Sequence, residues 1–292
     1  MTSDIHPRER LTPTMDTISR ELASIEGTSG RTPIGSRHQR SILYLEDVTV
    51  DFDGFKALNS LNLVMDYHEL RVVIGPNGAG KSTLLDVISG KVRPTAGRVV
   101  FGQATDLIGL WEHEITALGI GRKFQTPSVY TTLPVWDNLD LSLRRRSKGV
   151  YATLLSRVSS EESDKIARTL QTIGLTKKAR VLAGQLSHGE KQWLEIGMVL
   201  LQDPALLLID EPVAGMTDQE TRKTGDLLQS LTDKHSLIVI EHDMEFVRQI
   251  AKTVTVLHEG TVLCEGSVEY VQNHPRVIEI YLGRQKEPHA SV

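Results

Sequence analysis

The fold of this chain is decided by one stretch, Val72-Val73-Ile74-Gly75-Pro76-Asn77-Gly78-Ala79-Gly80-Lys81-Ser82-Thr83. Its run of β-branched residues predicts a buried strand, and the apolar residues after Thr83 predict a helix. Between them lies the pattern GxxxxGK[ST], which in a strand-loop-helix setting is typical of a phosphate-binding loop. A glycine-rich turn that binds nothing is the alternative. The stretch therefore predicts a nucleotide site on an α/β fold.

Each residue type in this loop has a physical reason to contact phosphate. Glycine has no Cβ, so the backbone can turn tightly and approach an anion closely. Exposed backbone N–H groups and the positive end of the following helix would hold the phosphates. Lys81 would reach the β- and γ-phosphates, and the Ser82 hydroxyl would hold magnesium. The predicted nucleotide-binding residues of the loop are Gly75, Asn77, Gly78, Gly80, Lys81, Ser82 and Thr83.

The composition narrows the function classes. The chain has 292 residues, of which 39% are hydrophobic and 24% charged, as in a soluble globular protein. A net charge of -4 argues against nucleic acid as the partner. Cys264 is the single cysteine, so we expect no disulfide and no cysteine metal site, but a small core residue in a strand. No apolar run approaches the roughly 18 residues of a spanning helix, so other chains would have to cross a membrane.

The remaining sequence divides into three parts. Residues 1–40 are rich in Ser, Thr, Arg, Pro and Gly, which predicts a disordered extension, and residues 284–292 form a polar tail. Residues 41–283 carry strand and helix patterns, beginning with a strand that ends at Phe52. This aromatic residue would either stack on a nucleotide base or pack in the core. From about residue 126 to 200 apolar residues recur at helical spacing, which predicts a helical lobe inserted in the α/β core.

Polar side chains follow three further predicted strands, at Gln125, at Asp210-Glu211 and at His242. Because the carboxyl ends of parallel strands meet at one edge of a sheet, we expect these groups to lie near the phosphate loop. Asp210 would hold magnesium, Glu211 would orient or deprotonate the attacking water, and His242 would donate to the γ-phosphate or the water. The alternatives are a salt-bridged surface turn for the carboxylates and a structural role for the histidine.

A helix start is predicted at Leu186-Ser187-His188-Gly189-Glu190, where Ser187 has the character of an N-cap and Glu190 completes a capping box. On local grounds this is an ordinary helix N-terminus.

In this order the motifs resemble the ATP-binding cassette (ABC) ATPases over residues 41–283. The glutamine loop centres on Gln125, the signature is Leu186–Glu190, the D-loop is Ala214–Thr217, and the switch histidine is His242. The resemblance implies a P-loop NTPase of the α/β class, with a RecA-like core, an antiparallel β-subdomain and a helical subdomain at about 126–200. It also implies ATP and Mg²⁺ as ligands, and Phe52 as the residue that stacks on the base.

The resemblance assigns further roles. Magnesium would be held by Ser82, Gln125 and Asp210, and catalysis would use Lys81, Gln125, Glu211 and His242. Ser187 and Gly189 of a second cassette would close the nucleotide site. The signature reads Leu-Ser-His-Gly-Glu instead of Leu-Ser-Gly-Gly-Gln, and Thr217 replaces the usual aspartate of the D-loop. These departures bear on the hydrolysis rate and on contacts across an ATP-bound dimer.

Within the family, the motif sequences are most similar to those of ATPase subunits of branched-chain amino acid and amide importers, above all those of urea importers. The segments concerned are Gly121–Gln125, Asp210–Thr217, Glu241–Val247 and Val277–Gly283. This similarity implies urea as cargo, permease subunits and a second ATPase subunit as partners, indirect dependence on a solute-binding protein, and a peripheral position at the cytoplasmic face of the inner membrane. The alternatives are a branched-chain amino acid importer, a lipopolysaccharide-type exporter, a soluble cassette acting on nucleic acid, and a P-loop kinase.

Overall fold

The structure, a computed structural model, describes residues 41–102, 104–123, 128–143 and 159–283. The predicted extension at 1–40, the predicted glutamine loop residue Gln125 and the predicted polar tail at 284–292 lie outside these residues.

The described chain forms ten strands and nine α-helices. The strands are β1 Ser41–Phe52, β2 Phe55–Asp66, β3 Leu70–Ile74, β4 Ala96–Phe101, β5 Thr105–Asp106, β6 Ile120–Lys123, β7 Leu206–Asp210, β8 Ser236–Ile240, β9 Thr253–His258 and β10 Thr261–Gly266. The helices are α1 Lys81–Ile88, α2 Glu112–Leu118, α3 Val135–Ser142, α4 Ser160–Thr172, α5 His188–Leu200, α6 Asp218–Leu231, α7 Met244–Ile250, α8 Val268–Gln272 and α9 Pro275–Gly283.

The larger sheet has six strands in the order β10-β9-β3-β8-β7-β6. All neighbours are parallel except β10, which is antiparallel to β9. Side chains of β3 alternate between two hydrophobic cores: Val72 and Ile74 join one, and Val73 joins the other. The same alternation holds in β7 and β8. Both faces of the sheet are therefore covered, which explains the apolar runs Val72–Ile74, Leu206–Ile209 and Leu237–Ile240 in these strands.

A second, antiparallel sheet has the order β2-β1-β4-β5, and its inner side chains share a core with α1. Between β6 and β7 the described residues form helices and two short 3₁₀ turns, Thr176–Lys178 and Ala183–Gln185. Helices α3, α4 and α5 contribute buried residues to the core on the other side of the larger sheet. The predicted fold class, a P-loop α/β protein with an antiparallel sheet and a helical segment, is confirmed.

Within the described residues, every helix is too short or too polar to cross a membrane. Cys264 is buried and unpaired in β10, as expected of a small core residue.

The apolar alternation of Leu61, Leu63 and Met65 predicts a second strand only from Leu61 to Met65, whereas β2 begins at Phe55. Phe52 pairs with Phe55 across a turn in which Asp53 and Gly54 both have positive φ, at 50° and 93°. Positive φ at both central residues is the geometry that matches the twist of a tight hairpin. The first half of β2 is largely exposed and carries polar side chains, so its strand pattern is weak in the sequence.

Asn138 organises the loop that leads into α3. Its side chain is fully buried. The amide oxygen accepts from the Tyr130 backbone N–H at 2.7 Å, and the amide nitrogen donates to the carbonyls of Tyr130, Leu133 and Pro134 at 2.9–3.3 Å. One buried amide therefore joins four backbone groups of this loop to α3.

We expect Asn138→Leu to lower the free energy of unfolding by about 2–4 kcal/mol, because it leaves the Tyr130 N–H without its partner and removes the buried bonds that join the loop to α3. Denaturant unfolding of the full chain measures this. Asn62→Leu is the matched control: Asn62 also bonds through its amide, to Asp47 and Ser60, but it is exposed, and we expect a change within about 1 kcal/mol. Equal losses in both variants would contradict the role of burial.

Candidate active site

The phosphate loop presents an uncapped helix N-terminus. Gly80 is the N-cap of α1, with φ of 99°, and α1 has neither a side-chain cap nor an acidic residue in its first turn. A Cβ at Gly80 would lie 2.5 Å from the carbonyl oxygen of Ala57, so only glycine fits this close approach. The first N–H groups of α1 are thus left for an external acceptor, and the helix dipole favours an anion there. This is the cradle that a phosphate group needs.

Lys81 lies across the loop. Its Nζ donates to the carbonyl oxygens of Gly75 at 2.7 Å and Pro76 at 3.0 Å. Partial burial lowers the pKa of the Lys81 ammonium, and the carboxylates of Glu211 and Asp210 oppose this shift. The ammonium is therefore held beside the cradle by neutral carbonyls rather than by a salt bridge, which allows it to contact a phosphate as a cation.

The two carboxylates after β7 have different surroundings. Asp210 is the last residue of β7 and is 8% exposed; burial raises the pKa of its carboxyl group, as does the nearby Glu211. Glu211 has φ of 43°, and its N–H donates to the carbonyl of Ile240 at 3.0 Å. Glu211 lines a cleft of about 260 Å³ together with Asn77, Gly78, Gly80, Lys81, Ser82 and Thr83. The structure therefore brings Glu211 to the phosphate loop, as the sequence predicts.

His242 follows β8 and reaches the same edge of the sheet. Its Nδ1 lies 3.5 Å from Oε1 of Glu211, and its side chain is 67% exposed. Strand β8 lies between β3 and β7, so the ends that carry the phosphate loop, the carboxylates and the histidine are adjacent. The predicted convergence is confirmed for these described residues.

Glu241 is a further residue at this edge, and the sequence analysis gave it no role. It is 1% exposed, and its carboxylate accepts from the backbone N–H groups of Val213 at 3.3 Å and His242 at 3.1 Å. Burial raises the pKa of the Glu241 carboxyl group, while these hydrogen bonds oppose the shift. The available signal was a carboxylate directly after an entirely apolar strand.

The signature segment has the predicted helix-cap structure. Ser187 caps α5: its Oγ accepts from Glu190 N–H at 3.2 Å, and Glu190 Oε2 accepts from Ser187 N–H at 3.1 Å. Lys178 Nζ also lies 2.6 Å from Glu190 Oε2. Glu190, which stands where the family signature usually has glutamine, is therefore paired within the chain. Ser187 Oγ donates to Glu220 Oε1 at 2.8 Å. Ser187 and Gly189 are not among the residues that line the cleft.

The second departure, at the D-loop, also has a local explanation. Thr217 is the N-cap of α6 and forms a capping box with Glu220. Thr217 Oγ1 donates to Glu220 Oε2 at 2.9 Å. A threonine hydroxyl therefore caps the helix at the position where the family usually has aspartate.

A buried ion pair joins α5 to the end of β6, the last described residue before 124–127 in the chain. Lys123 is fully buried at the end of β6, and its Nζ is 4.0 Å from Oε2 of Glu195 on α5. Glu195 Oε1 accepts from the Ser128 N–H at 3.2 Å. Burial raises the pKa of Glu195 and lowers that of Lys123, and their mutual attraction opposes both shifts. Through Glu195, the helix that carries the signature thereby contacts Lys123 and Ser128, the described residues on either side of Gln125 in the chain.

Phe52, the residue predicted to stack on the nucleotide base, is not among the residues that line the cleft. Phe52 is 49% exposed at the end of β1, while the aromatic residue that lines the cleft is Phe55, which is 62% exposed. Phe55 comes to the phosphate loop because of the tight turn at Asp53-Gly54. Base stacking by Phe52 stays a prediction.

The residues present suit a magnesium ion that is shared with a triphosphate. No cluster of three or more His, Cys, Asp or Glu side chains within the described residues could hold a metal by itself. Ser82 follows Lys81 in the first turn of α1, and Asp210 ends β7, which is separated from β3 by β8. A hydroxyl, one carboxylate and phosphate oxygens form a donor set that Mg²⁺ accepts. Gln125, the third predicted ligand, lies outside the described residues.

Comparison with known proteins places these features in a family. The family model described as "ABC transporter" matches residues 58–214, and one described as "Branched-chain amino acid ATP-binding cassette transporter" matches residues 261–287. The chain belongs to the ABC transporter family. It is an ATP-binding subunit and an ATPase of this family, so the predicted enzyme class is confirmed.

The matches to named relatives of this ABC protein extend over nearly the whole length of those relatives. LivG of Escherichia coli strain K12, a high-affinity branched-chain amino acid transport ATP-binding protein, is 34% identical over 250 residues, which is 83% of this chain and 98% of LivG. BraF of Pseudomonas aeruginosa, of the same description, is 32% identical over 252 residues, or 84% of this chain and 98% of BraF. The chain is therefore of the type that includes LivG and BraF.

Solved structures agree with this assignment. The ADP conformation of MJ1267, an ATP-binding cassette of an ABC transporter, aligns with a TM-score of 0.73 at 28% identity and covers 83% of this chain and 99% of that one. A dimeric post-hydrolysis state of the cassette MJ0796, bound to ADP and Pi, aligns with a TM-score of 0.66 at 26% identity, over 77% of this chain and 98% of that one.

We expect Lys81→Met to weaken ATP binding by at least about ten-fold, because the substitution removes the cation beside the phosphate cradle. Titration with a fluorescent ATP analogue measures the change. Lys91→Met is the control, since Lys91 is an exposed lysine just after α1 whose nearest acidic atom, on Asp86, is 3.6 Å away. Equal affinities for Lys81→Met and the wild type would contradict the assignment of the loop.

Proposed function

We propose that this chain is the ATP-hydrolysing subunit of a solute importer, and that two cassettes clamp ATP between them. The observation that supports this best is the meeting of Glu211 with the phosphate loop in one cleft, with His242 only 3.5 Å from its carboxylate. A carboxylate, a histidine and an anion cradle at one edge are the parts that hydrolysis of the phosphoanhydride bond of ATP by water requires.

The residues of one chain surround one side of such a substrate. Lys81 and the N-terminus of α1 would hold the phosphates, Ser82, Asp210 and Gln125 would hold magnesium, and His242 would contact the γ-phosphate. Glu211 would accept a proton from the attacking water. Bound magnesium would screen the phosphate charge and orient the triphosphate.

The other side of the substrate would be supplied by a second cassette. Ser187 and Gly189 lie at the N-terminus of α5, and neither lines the cleft of their own chain. A helix N-terminus with a serine hydroxyl is a suitable donor set for a γ-phosphate of another chain. The dimeric MJ0796 structure, bound to ADP and Pi, supports pairing of cassettes in this family. Hydrolysis would then open the pair and move the attached permease.

We expect Glu211→Gln to reduce ATP hydrolysis by about 10²–10⁴-fold, because it removes the proton acceptor, while ATP still joins two chains. Phosphate release and the mass of the chain with and without Mg-ATP measure the two effects. Glu259→Gln is a matched control: Glu259 also has positive φ, at 49°, but it is exposed in the turn between β9 and β10. Hydrolysis by Glu211→Gln at the wild-type rate would show that Glu211 is not the base.

The position and partners of the chain follow from this proposal. It would attach peripherally to permease subunits at the cytoplasmic face of the inner membrane, pair with a second ATPase subunit, and depend indirectly on a solute-binding protein. The match to the branched-chain amino acid model at residues 261–287 and the relatives LivG and BraF support branched-chain amino acids as cargo. Urea stays the second candidate, supported by the resemblance of four sequence segments to ATPase subunits of urea importers.

Uptake of labelled leucine and labelled urea, in matched cells with and without this chain, separates the candidates. We expect loss of leucine uptake and retention of urea uptake if the cargo is a branched-chain amino acid. The reverse result would favour urea. Cells that carry Glu211→Gln are the control, because the chain is present there but cannot drive transport. Unchanged uptake of both solutes would contradict both cargo proposals and direct the search to export.

A further inference from the structure

We propose that Glu241 is a positioning residue that joins the switch histidine to the D-loop, so that the two ATP sites of a cassette pair respond together. The inference rests on the function proposed above, in which His242 contacts the γ-phosphate of its own chain, and on the resemblance of residues 214–217 to a D-loop, which implies contacts across an ATP-bound dimer. Glu241 touches neither nucleotide and would act through these two segments.

The geometry that carries the inference is a single buried carboxylate that accepts backbone N–H groups from both segments. Glu241 Oε1 accepts from the N–H of Val213, in the loop after β7, at 3.3 Å. Glu241 Oε2 accepts from the N–H of His242, in the loop after β8, at 3.1 Å. The carboxylate is 1% exposed, so water cannot replace either bond. The two loops therefore share one side chain as their common partner.

The arrangement needs a carboxylate. An ionised carboxylate accepts hydrogen bonds at both oxygens, whereas an amide has one accepting and one donating end. A glutamine of the same shape would direct its NH₂ group at one of the two backbone N–H donors, and that bond would be lost. Burying a charged group is costly unless it is hydrogen-bonded, so the carboxylate also resists any motion that separates the loops.

The two segments border a common cavity of about 680 Å³, whose lining includes Glu241, His242 and the D-loop residues Ala214, Gly215 and Met216. The cavity leaves space beside these loops, and the carboxylate joins their backbones where they meet. One ring atom of His242, Nδ1, lies 3.5 Å from Glu211 Oε1 and 4.0 Å from Glu241 Oε2. A displacement of His242 when the γ-phosphate leaves would thus be passed to Val213 and to the residues after it.

The test is the dependence of ATP hydrolysis on ATP concentration for the full-length chain. We expect Glu241→Gln to lower kcat by about ten-fold, to change the KM for ATP by less than about two-fold, and to reduce the Hill coefficient to about 1. Asp243→Asn is the matched control, because Asp243 also accepts from two backbone N–H groups but caps α7, where asparagine serves equally well. It should keep the wild-type Hill coefficient.

Two further variants keep the test decisive. In a double-mutant cycle with His242→Ala, the effect of Glu241→Gln on kcat should largely disappear, because both changes break one unit. Glu241→Asp keeps the charge but withdraws it by one methylene group; it should also lower the Hill coefficient, and it is measured in place of glutamine if that variant does not fold.

The inference is overturned by a wild-type Hill coefficient of 1, by unchanged kcat and Hill coefficient in the folded variants, or by additive effects in the cycle. These results leave the proposed function intact if Glu211→Gln still pairs with ATP. Failure of Glu211→Gln to pair would instead remove the proposed function.

Discussion

Burial of a parallel sheet on both faces determines where this protein can carry charge. Side chains of β3, β7 and β8 alternate between two apolar cores. An unpaired charge within these strands would have no water on either face of the sheet, which is energetically unfavourable. Charged and polar groups therefore appear where the strands end, at the phosphate loop, at Asp210-Glu211 and at Glu241-His242. Because the three strands are neighbours, these ends meet at one edge. The constraint that stabilises the sheet also assembles the site.

This constraint explains how much of the site the sequence could predict. An apolar run followed by a polar pair reports a strand end, and the order of motifs then identifies Lys81, Glu211 and His242. Roles that depend on the direction of a side chain do not follow in this way. Phe55 reaches the cleft only because the turn at Asp53-Gly54 has positive φ, and an inward-facing Glu241 cannot be distinguished from an outward-facing one until the β7 loop is in place.

The ion pair between Lys123 and Glu195 shows how the helical segment is joined to the sheet. Desolvation of two charges offsets much of their attraction, so such a pair adds little stability over an apolar contact. Loss of one partner, however, would leave a charge buried and unpaired, which is strongly unfavourable. The pair therefore ties α5 to the end of β6 in one arrangement. Since α5 carries the signature and β6 leads to the glutamine loop, this contact links two parts of the site that lie far apart in the chain.

Three carboxylates close to one another have different tasks because their surroundings differ. Glu241 is buried and both of its oxygens accept backbone N–H groups, so it is suited to hold loops in place and not to take a proton from water. Asp210 is buried beside a second carboxylate, which raises its pKa and makes a cation a favourable neighbour. Glu211 lines the cleft, where a water molecule on the phosphate could reach it. Burial and hydrogen bonding, rather than residue type, thus separate the proposed loop holder, Glu241, from the proposed metal ligand, Asp210, and the proposed base, Glu211.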